Sequence, residues 1–360
     1  MKKGGLKKVA IEQLAAQYVC VGYGCTSSML EYFGKKHDEL LLSWKNEVEH
    51  WSRREREVEC QLQQIHADED LTNNHTTPDT VLQYSALEEE LKQVRQQMHP
   101  GYSFTGDNVD IRHHVRQITQ SNQNKDHHLY HLVAYKNRVA GHHLPDDKPQ
   151  ANPLAVPLKQ FLPSEEDQST LIEEMALLVT WTWSKYIPSI ADYGIHVDQT
   201  MHHENMESMK KKTEKVYLGV LDKNEQYGDD MIDIVEYLHA YVPGHSVDTD
   251  EQPVKILSGG DYLTFERHKE AQSSKRDGRT PSSRVEGLIP KVEDFHVQAE
   301  WQKVIWLHLY STASCRDIGT LHAARNAINS RNVSSDPAKN FYASSELLDK
   351  FTDAYLVAGL

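Results

Sequence analysis

The stretch Val254-Lys255-Ile256-Leu257-Ser258-Gly259-Gly260-Asp261-Tyr262-Leu263-Thr264 constrains this chain more than any other. A short apolar run that ends in glycines and then a carboxylate is the pattern of a buried parallel strand at its carboxyl end, where the reactive groups of α/β sheets gather. Glycine lets the backbone turn sharply there, so Asp261 is delivered to an accessible position. Tyr102 to Ile111 repeats the pattern around Gly106-Asp107-Asn108. Two such stretches predict two carboxylates meeting at one metal ion. Taken singly, each has a plainer meaning: Asp107 as a turn residue after Gly106, and Asp261 as a turn or helix cap before Thr264.

The elements around these stretches supply a fold class. Leu41, Trp44, Val48, Trp51, Val58, Leu62 and Ile65 alternate steps of three and four with Glu55 in the series, which is a heptad seam on a long helix. After a polar loop, Tyr84, Leu87, Leu91, Val94 and Met98 restart it, so residues 1–100 are read as a helical region with a coiled-coil-like hairpin or a homodimer interface. Tyr102 to Ile111, Val115 to Gln120 and Leu129 to Val139 then read as three successive strands. Residues from about 145 to 250 form a helical insertion, in which Leu171, Ile172, Met175, Leu178, Trp181 and Trp183 make a core-facing stripe. Val216 to Leu221 is a short strand candidate and Asp229 to Tyr241 an amphipathic helix. The Asp261 strand follows, then a strand at Leu288 to Val297, a helix from Ala299 to Tyr310, and two C-terminal helices.

Three strands, a helix, a strand ending in Asp, a helix, a strand and a closing helix is the element order of a ribonuclease H-like α/β fold, assigned here to residues 101–360. In such a sheet the first and fourth strands are neighbours, so Asp107 and Asp261 share one divalent cation. Mg²⁺ or Mn²⁺ suits carboxylate oxygens and retained waters, and supports in-line attack at phosphate. The third acid comes from the region after the fifth strand, with Asp294, Glu293 and Glu300 as candidates in that order. His296 is a candidate proton shuttle or metal ligand, or a packed histidine at a strand-to-helix corner. The doublets at His113, His127, His142 and His202 share no helical spacing and indicate no zinc site.

Charge limits the partners. With 39 Lys+Arg against 53 Asp+Glu and a net charge of −14, the chain is unsuited to coating nucleic acid non-specifically. A local basic segment nevertheless follows Asp261: Arg267, Lys269, Lys275, Arg276 and Arg279, with Arg284 beyond, positioned to lead a DNA backbone to the metal or to form a solvated face. No segment approaches the ~20 apolar residues of a membrane span. Glu12 and Gln13 interrupt the apolar run that a signal peptide would need. Four scattered cysteines without a C-x-x-C pair fit a reducing compartment, nucleus or cytoplasm.

Gly106-Asp107-Asn108, Gly260-Asp261-Tyr262-Leu263-Thr264 with Arg267, Glu293-Asp294-Phe295-His296, Gly319-Thr320-Leu321, Asn332-Val333 and Asp336-Pro337-Ala338-Lys339 together resemble an uncharacterised eukaryotic domain family of unknown function found in transposon-derived genes. The resemblance runs from about Leu14 onward. It implies a ribonuclease H-like, transposase-related core, supports Asp107 and Asp261, and marks Phe295-His296 as a family feature. Two functions then compete: a transposase-like nuclease or strand-transfer core acting on DNA, and a catalytically inactive descendant that binds DNA or a partner through the helical hairpin.

Overall fold

The structure of the chain, a computed structural model, describes residues 8–16, 23–71, 78–120, 123–141, 152–192, 200–246 and 248–359. Its helices are α1 (Lys8–Ala16), α2 (Tyr23–Lys35), α3 (Glu39–Leu71), α4 (Pro78–Gln97), α5 (Glu165–Tyr186), α6 (Pro188–Asp192), α7 (Met206–Met209), α8 (Gly228–His239), α9 (Tyr262–Ser274), α10 (Asp294–Leu309), α11 (Leu321–Ala327) and α12 (Phe341–Ala358). The strands are β1 (Tyr102–His113), β2 (Lys125–Lys136), β3 (Lys215–Leu221), β4 (Ile256–Gly260) and β5 (Leu288–Val292). Two compact units result: residues 1–143 with 211–292, and residues 144–210 with 293–360.

The first unit is built on one five-stranded mixed sheet in the order β3-β2-β1-β4-β5. The β2 strand runs antiparallel to both β1 and β3, whereas β1, β4 and β5 run parallel. Side chains alternate across a strand, so one face collects Tyr102, Phe104, Tyr130, Leu132, Ala134, Val216, Leu218, Ile256 and Leu288. Onto this face pack Leu41, Trp44 and Val48 of α3, Met231, Ile234, Val235 and Leu238 of α8, and Ala271 of α9. Phe104 is wholly buried at the centre, and burial of a side chain that size contributes about 2 to 3 kcal/mol. Tyr217, Leu257 and Ile289 remain exposed.

Part of the heptad seam is buried within the chain. Leu41, Trp44 and Val48 enter the sheet core; Val58 is buried, as are Leu87 and Val94 of α4, which packs against α3, and Met98 just beyond α4. Cross-helix ion pairs, Arg95 to Glu55 and Glu59 at 2.8 Å each and Arg54 to Glu90, line the two helices.

Three expectations change. Val115 to Gln120 does not form a strand; it belongs to the connection between two continuous twelve-residue strands. The third strand is β3, reached after the helical segment. Second, α5 buries none of its residues: Leu171, Ile172, Met175 and Leu178 are exposed, and only its last turns engage α12, through Trp183 Nε1 to the Leu356 carbonyl (2.7 Å) and Tyr186 to Asp353 (2.8 Å). Third, the last parallel strand stops at Val292. Glu293 has the extended dihedrals of a helix N-cap, so α10 starts at Asp294, five residues earlier than the apolar pattern indicates. In the second unit, Trp306, Leu321, Val333 and Leu347 form a small core of their own.

Candidate functional site

Asp107 and Asp261 lie on neighbouring strands of the first unit. The parallel pairs Ser103 with Leu257, Phe104 with Ser258 and Thr105 with Gly259 fix the register. Two residues further along each strand come Asp107 and Asp261, and Asp261 is still extended at φ −71° and ψ −179°. By alternation both project from the face opposite Phe104. Asp107 is exposed and Asp261 half-buried.

Their local settings differ. Asp107 stands inside β1 opposite His131 of β2, so it is a strand residue and not a turn residue. Its Oδ1 accepts the Asn108 N–H at 2.8 Å. Asp261 is the N-cap of α9, its Oδ1 accepting the Thr264 N–H at 2.7 Å, which realises the capping role readable from its sequence position. Capping uses one oxygen, and the other remains available to a ligand.

Both glycines have a packing reason. A Cβ on Gly106 would lie 2.5 Å from Tyr130 Cε1 and Cζ, and one on Gly260 would lie 2.6 Å from Thr264 Cβ. Tyr130 and Thr264 therefore press against the backbone directly beneath the two acids.

Beneath the same strand ends lies Glu225, in the loop from β3 to α8, with no exposed surface. Its Oε1 accepts from Asn108 Nδ2 and its Oε2 from Thr264 Oγ1, each at 2.5 Å. Burial, followed by the charges of Asp261 and Asp107, raises the Glu225 carboxyl above its ordinary value. Burial and then the charges of Glu225, Asp107 and Asp261 push the Tyr130 phenol far up. Sequence reading missed Glu225 altogether. The signal was slight, one acid in a polar turn from Asp222 to Asp230.

The other candidates occupy different places. Asp294 is exposed in the first turn of α10, in the second unit, and His296 lies half-buried beside Phe295, whose ring meets Phe341 at 4.9 Å. Glu300 pairs with Lys303 at 2.5 Å. Among the described residues no group of three or more His, Cys, Asp and Glu side chains is placed to hold a metal ion. What the first unit offers a hard cation is two carboxylates on one face, which suits an ion that keeps several waters. The His142-His143 doublet lies outside the described residues.

The basic segment is locally neutralised. Arg267 donates to Glu270 at 2.6 Å, Lys275 pairs with Glu236, Arg276 is 3.8 Å from Asp277 and Arg284 2.6 Å from Glu286. Lys269 lies over the Phe265 ring at 5.3 Å, and Arg279 is exposed. Such exposed pairs are weak, and phosphates can displace them. Among the described residues no helix is long and apolar enough to cross a membrane.

No curated protein and no solved structure matches the chain. One family model does, over residues 150–360, which include Glu225, Asp261, Asp294 and His296 and leave out Asp107. That match spans more than half of the chain, and the protein belongs to the family of unknown function DUF6589.

Proposed function

We propose that the protein cleaves or transfers phosphodiesters of DNA, with Asp107 and Asp261 as the shared ligands of Mg²⁺ or Mn²⁺ in a ribonuclease H-like, transposase-derived framework. The observation that carries this reading is the register that sets two Gly-Asp stretches side by side on adjacent parallel strands, facing the same way. A divalent ion held there would polarise a phosphoryl oxygen and generate a hydroxide nucleophile. The two carboxylates would hold the ion and offset its charge with the Asp oxygens left by the Asn108 and Thr264 contacts. Asp294 and His296, expected from sequence as third ligand and proton carrier, belong to the second unit and take no part in this proposal. Arg267, Lys269, Lys275, Arg276 and Arg279 exchange their local partners for the DNA backbone. In the alternative reading the protein is an inactive, transposon-derived binding protein; it is favoured by the lack of a third converging ligand among the described residues.

Incubating DNA with the protein and Mn²⁺ separates the two. Cleavage by the wild type, lost in Asp107→Asn and Asp261→Asn, supports the enzyme. Cleavage that persists unchanged in Asp261→Asn would refute the assignment, and DNA binding without cleavage would favour the inactive protein.

A further inference from the structure

Among the described residues of the first unit Glu225 is the most thoroughly enclosed acid, and its contacts are specific. An ionisable side chain with no exposed surface costs free energy unless its oxygens are satisfied, and here each oxygen has a donor. The donors are 117 and 39 residues away in sequence, on different elements. Asn108 is the residue after Asp107 on β1. Thr264 is the residue whose backbone N–H Asp261 caps. Asn108 accepts a loss to make its contact, since its Oδ1 is left buried without a hydrogen-bond partner.

We propose that Glu225 is a positioning residue, a buried strut that fixes β1 and the β4–α9 junction against each other and so sets the separation of the Asp107 and Asp261 carboxylates. This rests on reading those two aspartates as one site. Packing agrees with it. The strut lies in a tight layer with Tyr130 and Thr264, and that layer occupies the space a Cβ would need at Gly106 and Gly260. Rigid support of this kind is what a pair of ligands needs in order to stay preorganised.

Two backbone amides report on the strut without any metal: Asn108 N–H, held by Asp107, and Thr264 N–H, held by Asp261. Their hydrogen exchange is to be measured in the wild type, Glu225→Ala, Glu225→Gln and Thr264→Val, with Mn²⁺ titrations alongside. Glu225→Ala should speed exchange at both amides by roughly tenfold or more, although neither is near residue 225 in sequence. Glu225→Gln keeps an acceptor for Asn108 and a donor that the Thr264 hydroxyl can accept, so it should restore both. Thr264→Val preserves shape but releases one end of the strut, and should loosen Asn108 across the sheet. This variant decides the matter if Glu225→Ala does not fold. Unchanged exchange at Asn108 in Thr264→Val, or equal loosening in Glu225→Gln and Glu225→Ala, would overturn the strut. Loosened amides in a protein whose wild type binds no Mn²⁺ would leave the strut standing and remove the metal reading.

Discussion

The two Gly-Asp stretches share a dipeptide and differ in what the aspartate does. In the first, Asp107 lies in the interior of a twelve-residue strand, exposed and outside any helix cap. In the second, Asp261 ends a five-residue strand and starts a helix. The glycines are alike, because each makes room for a side chain of the buried polar layer. Glycine here reflects close approach, not a turn, and the shared feature of the two stretches is the layer beneath them.

The largest expected effect comes from filling those two spaces. Gly260→Ala collides with a β-branched residue whose hydroxyl is bound to Glu225, and should cost about 3 kcal/mol in chemical denaturation. Gly106→Ala meets the hydroxyl end of the buried Tyr130 ring and should cost about 2 kcal/mol. Thr264→Ser in the Gly260→Ala background removes the methyl group in the way and should recover part of the loss. A loss of the same size in the double variant would show that contact with Thr264 is not the reason for Gly260.

A related effect depends on pH. His268 of α9 is almost wholly buried, and burial lowers its pKa to about 4. A histidine kept neutral in the fold takes up protons on unfolding, so its stabilising contribution is complete above about pH 6.5 and is lost as pH falls toward 4. The loss amounts to about 3 kcal/mol. Melting between pH 7 and 4 should show it, and His268→Leu should flatten that part of the profile. An unchanged slope in the variant would assign the acid sensitivity elsewhere. The Glu225 carboxyl, raised by burial, works in the opposite direction: the wild type should gain stability relative to Glu225→Gln as pH falls from neutral toward the ordinary glutamate range.

The smallest effect separates the aspartates themselves. Asp261→Ala removes a helix cap and should cost about 1 kcal/mol, whereas Asp261→Asn keeps the cap and should cost much less. Asp107→Ala, at an exposed strand position, should stay within about 0.5 kcal/mol. Equal losses at the two positions would erase the distinction between strand residue and cap.

What could be read from the sequence follows the same division. Both Gly-Asp stretches, the two heptad seams and the amphipathic α8 carry their pattern in contiguous residues, and each forms close to where the pattern predicts. Val115 to Gln120 misleads because a few alternating residues in a long hairpin connection resemble a strand. The apolar stripe of α5 misleads because periodicity reports a face without saying whether anything covers it. The start of α10 is missed because apolar residues continue to Val297 and Glu293 takes its N-cap position by backbone conformation alone, without a side-chain cap to read. Glu225 is illegible for a deeper reason, since its burial is created by Asn108 and Thr264, which only the folded sheet brings to it.

The most direct measurement of the shared site is Mn²⁺ binding followed by titration calorimetry in the wild type, Asp107→Asn and Asp261→Asn. Both variants keep their local hydrogen bonds, so changes report on charge at the site and not on folding. A shared site requires that the wild type bind Mn²⁺ and that either single substitution abolish or strongly weaken the same binding event. No binding by the wild type, or binding that survives unchanged in either variant, would contradict it.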